Sequence, residues 1–202
     1  MSLLASLVLT ALLAPGAALV AQEIALDLDP AQTKVEYKLG ATLHTVEGTF
    51  ALKRGHISFD PESGKAAGEL VVDTTSGQSG NNSRDRNMHK SVLESARYPE
   101  IIFRPDRVEG KVAPQGRSQV QLHGTFTIHG ADHEMTVPVD VEITDGRYTA
   151  IAHFQIPYVK WGMKNPSTFL LRVSDKVDLT VQAVAQARVI SAFYSGAAGP
   201  TM

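Results

Sequence analysis

The sequence predicts an all-β domain, an antiparallel sheet of about eight strands closed into a barrel with one short helix inserted between its halves. Three observations predict it. Segment after segment alternates apolar and polar residues with period two, the signature of strands with one dry face. Gly, Asp and Asn turn signals separate those segments. Only "NNSRDRNMHKSVLESARYPE" breaks the alternation, placing Met88, Val92 and Leu93 at helical spacing between a possible Ser83 cap and the stop at Pro99.

Taken in order, "TKVEYKL" is a first strand with Val35, Tyr37 and Leu39 on one face. "HTVEGTFALKRGHISFD" supplies Val46, Phe50 and Leu52, then Ile57 and Phe59, and its Arg54-Gly55 pair reads as a turn. "AAGELVVDT" adds Leu70 and Val72, and "GQSGN" reads as a long loop. "EIIFRPDRVEG" is extended, with Pro105 marking an edge, a bulge or a bend. The longest alternation is "SQVQLHGTFTIHGADHEMTVPVDVEI". Val120, Leu122, Phe126 and Ile128, with Gly124 among them, face one way and Gln121, His123, Thr125, Thr127 and His129 the other. Met135, Val137, Val139, Val141 and Ile143 repeat the pattern after an expected turn at Gly130-Ala131-Asp132. "RYTAIAHFQI" brings Phe154 inward, "KVDLTVQAVAQA" is the last strand, and "PYVKWGMKNPST" between them suits a loop lying over an opening.

An open sheet with one dry face exposes that face and two edges, so it closes or pairs with another sheet. An eight-stranded barrel has room for packed side chains or for one small ligand. Small inward residues, Gly124, Ala150, Ala152, Ala183 and Ala185, fit either a cavity or a tapering filled core, and pattern alone leaves both open.

The 202 residues, 43% hydrophobic and 20% charged, suit one domain. With 19 Lys and Arg against 21 Asp and Glu, scattered along the chain, no electrostatic footprint of nucleic-acid binding exists. Residues 1–21 form an apolar stretch broken by Pro15 and Gly16 and ending in small residues, which reads as a secretory signal and a periplasmic or secreted protein. The barrel is expected over residues 29–187 and a flexible tail over 188–202. Cysteine is absent, which removes disulfides, thiolate metal sites and a catalytic thiol.

Histidines raise other chemistry. His129 and His133 flank the hairpin turn and are expected to face each other, but two imidazoles beside Asp132 and Glu134 make a poor metal site. His44, His123 and His153 are expected to face solvent. "GQSGN" lacks the spacing of a nucleophile elbow. No metal, no cofactor and no enzyme are expected. The loop residues Lys160, Lys164 and Asn165 and the helix residues Arg84, Arg86, His89 and Lys90 are candidates to meet a polar or anionic head group.

Three blocks, "RDRNMHKSVLESARYPEIIFRPDRV", "GTFTIHGADHEMTVPVDV" and "VSDKVDLTVQA", resemble in order and spacing those of the YceI-like polyisoprenoid-binding family. The matching positions are Asp85, Tyr98-Pro99 with Phe103, and Gly124 to Gly130, and the resemblance runs from Asp29 to Ala187. It implies a lipocalin-like barrel whose apolar lumen takes a polyisoprenoid or other long-chain lipid without catalysis, for transport or storage. Alternation points Tyr37, Phe50, Leu122, Phe126, Ile128, Val137 and Phe154 inward, and Trp161 joins them from the loop; their contact with ligand is implied by the resemblance. A transient membrane contact and a homodimer are compatible with this reading. A filled barrel serving as a structural or stress-response protein is the alternative, and a hydrolase or metalloprotein is a third.

Overall fold

A computed structural model describes residues 22–191; the expected signal and residues 192–202 of the expected tail lie outside the described residues. The alternating segments form nine antiparallel strands: β1 (Gln22–Leu28), β2 (Lys34–Gly40), β3 (Thr45–Phe59), β4 (Ala66–Gln78), β5 (Glu100–Glu109), β6 (Gly116–Ile128), β7 (Ala131–Thr144), β8 (Arg147–Ile156) and β9 (Val177–Ser191). They pair in the order β2-β9-β8-β7-β6-β5-β4-β3, and β3 returns to β2, so the sheet closes as an eight-stranded barrel. Closure leaves no long edge unpaired.

The ninth strand adds length rather than girth. β1 and β2 lie in line between β3 and β9, β1 against Ala185 to Ser191 and β2 against Asp178 to Gln182. The break between them is built by Asp29, whose carboxylate accepts from the Ala31 N–H at 2.8 Å and whose carbonyl accepts from the Thr33 N–H at 2.9 Å. The first strand read from the sequence is thus the second, and β1 precedes it. The final strand runs to Ser191, four residues into the segment expected as tail.

Arg54-Gly55 is not a turn. β3 continues through it with a register shift between Leu52 and Arg54, and a Cβ on Gly55 would sit 3.0 Å from Leu28, so glycine lets β1 lie close. Pro105 does mark a bulge, as β5 shifts register between Pro105 and Arg107 against β6. The long hairpin turns on two residues, His129 and Gly130, rather than on Gly130-Ala131-Asp132; both have positive φ, 53° and 75°, and Ile128 pairs with Ala131. Two left-handed residues are what a tight hairpin with native twist requires.

Between β4 and β5 lies the helix α1 (Asn82–Asn87), continued by a π-helical turn over Met88–Val92. Its cap is Asn81 rather than Ser83: Asn81 Oδ1 accepts from the Ser83 and Arg84 N–H groups at 3.1 and 3.0 Å. "GQSGN" is correspondingly short, since Gly77 and Gln78 still belong to β4. Antiparallel order sets α1, the β2–β3 turn, the β6–β7 turn and the loop 157–176 at one end of the barrel. Among the described residues the opposite end carries the connections β3–β4, β5–β6 and β7–β8.

Candidate functional site

The inward rows do not fill the barrel. A cavity of about 670 Å³ runs under α1, within the range of ligand pockets, and a smaller one of about 100 Å³ lies toward the opposite end. Leu122 and Val139 line both, so the partition between them is about one side chain thick.

Strands β2 to β9 give the large cavity their inward residues, among them Val35 and Tyr37 from β2, Phe50 from β3, Phe103 from β5, Val137 from β7 and Phe154 from β8. Two glycines make room for rings. Tyr37 pairs with Gly48, and the Tyr37 and Phe50 centroids are 5.5 Å apart. A Cβ on Gly77 would lie 2.4 Å from the Phe50 ring and 2.9 Å from Met88 Cε. On the far wall Phe126 meets Phe154 edge-on at 6.3 Å.

Helix α1 and its π-helical turn close over this space. Met88, Val92 and Leu93, the residues at helical spacing, face it together with Asn81, Ser83, Arg84 and Asn87. His89 anchors the closure: Nε2 hydrogen-bonds the Gly77 carbonyl at 2.8 Å and Nδ1 pairs with Ser95 Oγ at 2.9 Å. Arg84 donates through Nε to Ser79 Oγ at 2.7 Å and through Nη2 to the Ser79 carbonyl at 2.9 Å, while the Ser79 N–H donates to Asp85 at 3.0 Å.

Among the described residues that line the cavity, Arg84 alone is permanently charged. Tyr37 and Tyr158 supply hydroxyls. Burial raises the Tyr37 phenol above its ordinary range, and burial with the nearby Asp175 charge pushes Tyr158 up to about 12. Tyr158 Oη donates to the Ser174 carbonyl at 2.7 Å, and Tyr37 Oη to Met88 Sδ at 3.6 Å. Both are neutral at physiological pH, so the wall is oily with a cation at its rim.

Placement of the expected site residues divides sharply. Tyr37, Phe50, Leu122, Phe126, Ile128, Val137 and Phe154 all line the cavity. Trp161 is not on the wall: it packs behind Phe126, with centroids 5.8 Å apart, and stacks on His133 at 4.0 Å and 5°. Its loop neighbours Tyr158 and Met163 reach the wall instead. Arg86, Lys160 and Lys164 are exposed and do not line the cavity. Asn165 shapes its own loop, donating to the Val173 carbonyl at 3.2 Å and accepting from the Ser167 N–H at 2.8 Å. His89 holds the helix down.

The remaining histidines also part. His133 shares the inward row with Phe126, its register partner, whereas His129 turns toward Tyr98, with ring centroids 4.5 Å apart. The two therefore do not face each other across the hairpin. Among the described residues no three His, Asp or Glu side chains gather as a metal site. His123 pairs with Asp106 at 2.7 Å and His153 with Thr180 at 2.9 Å outside the barrel, and His44 is exposed as expected, standing at the cavity rim. Gly124, expected on the wall, instead admits the β5 bulge, since a Cβ there would meet the Arg104 carbonyl at 2.3 Å.

Comparison with known proteins agrees with this architecture. The YceI-like domain family matches residues 26–185. No curated protein matches the chain in sequence. Among solved structures, BcnA of Burkholderia cenocepacia is similar with a TM-score of 0.65 and 21% identity, over 79% of this chain and 100% of that one. A polyisoprenoid-binding domain from Saccharophagus degradans, implicated in plant cell wall breakdown, has a TM-score of 0.63 and 16% identity over 84% of this chain and 99% of its own. The YceI protein of Campylobacter jejuni has a TM-score of 0.60 and 18% identity over 73% and 88%. At these identities the structural likeness is one of fold.

Proposed function

The chain belongs to the YceI-like domain family, and from that premise we propose that it binds one polyisoprenoid or similar long-chain lipid in the barrel lumen, without catalysis. The observation that carries this is the apolar cavity of about 670 Å³, left unfilled by side chains, with Arg84 as the one permanent charge among the described residues that line it. A filled barrel would leave no such space. Family membership and the polyisoprenoid-binding domain that shares its fold support the same ligand class.

The energetics favour a chain-like occupant. Each buried methylene is worth about 0.8 kcal/mol, so ten contribute roughly 8 kcal/mol. That exceeds the several kcal/mol lost in ordering a flexible ligand. A polar head stays at the rim, where Arg84 and the amides of Asn81 and Asn87 face the space. Arg84 replaces Arg86 as the head-group residue, because positions two apart on a helix lie about 200° apart around its axis. Transport or storage outside the cytoplasm completes this reading, supported by the apolar character of residues 1–21.

Titration with a fluorescent prenyl alcohol tests the proposal. One saturable site per chain is expected, and Phe154→Asp, which puts a carboxylate on the wall, should abolish it. Binding that never saturates, or that is indifferent to Phe154→Asp in a folded variant, contradicts it.

A further inference from the structure

Large apolar side chains left in solvent cluster at the mouth of the cavity. Leu43, Phe169 and Leu170 are 82%, 97% and 85% exposed. They belong to two connections that are tied together: the Thr42 N–H donates to the Arg172 carbonyl at 2.9 Å, the Arg172 N–H donates to Thr42 Oγ1 at 3.1 Å, and Ala41 bridges to Val173. Phe169 and Leu170 form the tip of a turn closed by its own bonds. The Thr168 N–H donates to the Leu171 carbonyl at 2.8 Å and the Leu171 N–H to Thr168 Oγ1 at 3.1 Å. Their neighbours Ala41, His44, Pro166, Leu171 and Val173 line the cavity, so the apolar tip and the opening belong to one rim.

Charge around this rim is biased. The connections at this end, 41–44, 79–99, 129–130 and 157–176, contain eight Lys and Arg against Asp85, Glu94 and Asp175. They hold eight of the chain's 19 Lys and Arg but three of its 21 Asp and Glu, in a chain of net charge −2. A single exposed apolar residue is ordinary on a protein surface, but a group of them at an end rich in basic residues is the composition of an interfacial anchor.

We propose that the rim docks on an anionic lipid bilayer, with Leu43, Phe169 and Leu170 entering the interface and the basic residues meeting the head groups. Resting on the lumen reading above, this assigns the route of loading: the mouth opens against the membrane, so a long apolar chain slides between bilayer and barrel without crossing water. Docking is a property of the rim and lipid retention one of the lumen, and the two fail separately.

Co-sedimentation of the purified protein with vesicles tests it, using phosphatidylcholine alone and an equimolar mixture with phosphatidylglycerol. Binding is expected to the mixed vesicles and to weaken with salt. The triple variant Leu43→Ser, Phe169→Ser, Leu170→Ser should lose at least roughly tenfold in partitioning, while still taking up geranylgeraniol supplied without vesicles. Because the chain has no cysteine, Phe169→Cys gives a unique site for an environment-sensitive dye, whose emission should shift to the blue on the mixed vesicles. Equal partitioning of wild type and triple variant, or no spectral shift, overturns the proposal. So does a dimer in sedimentation velocity that the triple variant converts to monomer without any change in vesicle binding, since the tip then serves a second copy of the chain.

Discussion

The Tyr37 ring lies across Gly48. The two residues are register partners on β2 and β3, and a Cβ on Gly48 would come within 2.5 Å of the ring and 2.2 Å of the Gln78 carbonyl. Glycine therefore gives Tyr37 its place flat against the wall rather than across the lumen. Gly48→Ala should cost about 1–3 kcal/mol by overpacking and reduce prenyl-alcohol affinity as the ring is pushed inward. Chemical denaturation and ligand titration of the same variant check both effects.

Inward and outward positions alternate along β7, so its neighbouring residues should respond oppositely to charge. Val137 is 5% exposed and lines the cavity, whereas Thr136 is exposed. Val137→Asp should lose more than about 3 kcal/mol through a buried carboxylate and a lost methyl contact, and Thr136→Asp should stay within about 0.5 kcal/mol of wild type. Thermal unfolding of the pair reads the register of β7 directly.

Leu122 stands between the two cavities. Leu122→Ala should cost about 2 kcal/mol in stability and join the spaces, moving the preferred ligand toward longer prenyl chains. A binding series over prenyl alcohols of increasing length checks this; an unchanged length optimum would mean that Val139 and its neighbours hold the partition without Leu122.

His89 bridges the Gly77 carbonyl and Ser95 Oγ, and its part is structural. His89→Ala should destabilise the fold by about 1–3 kcal/mol by leaving the buried Ser95 without its imidazole partner and raise the rate of hydrogen exchange in α1. Ligand affinity per folded molecule should fall far less than with Arg84→Ala if Arg84 is the head-group residue.

Acid should weaken the β6–β7 end of the barrel. Burial holds His133 below its ordinary imidazole range, with Asp132 opposing that shift, and its Nε2 is buried without a hydrogen-bond partner among the described residues. The folded form therefore takes up a proton at lower pH than the unfolded chain. The stability linked to neutral His133 is complete above the unfolded imidazole range, near 6.5, and is lost as pH falls from there toward the lower folded value. His133→Phe, which keeps a ring against Trp161, should remove part of the fall in melting temperature between about pH 7.5 and 5.

How far the site could be read from the sequence follows from the range of each interaction. Alternation is local, and it placed Phe126, Ile128 and Val137 on the wall because a strand has only two faces. His133 is legible on the same argument, since it shares parity with Met135 and Val137. Arg54-Gly55 was misread because glycine beside a charged residue signals a turn locally, while its actual cause, the approach of Leu28, is a contact with another strand. The break at Asp29 was hidden for the same reason, since β1 and β2 become one barrel position only by sharing β9. Loop residues were the least legible. Trp161 sits behind Phe126 because the loop 157–176 folds onto the β6–β7 end, and no period constrains a loop.

A lumen of this size and lining should carry one long apolar chain in the cell. The decisive measurement is mass spectrometry of solvent extracts from protein purified without detergent from the cells that make it. A prenyl or similar long-chain lipid is expected, recovered near one per chain from wild type and lost from Val137→Asp. Repeated extracts without lipid, from folded wild-type protein that also fails to take up prenyl alcohols, would contradict it.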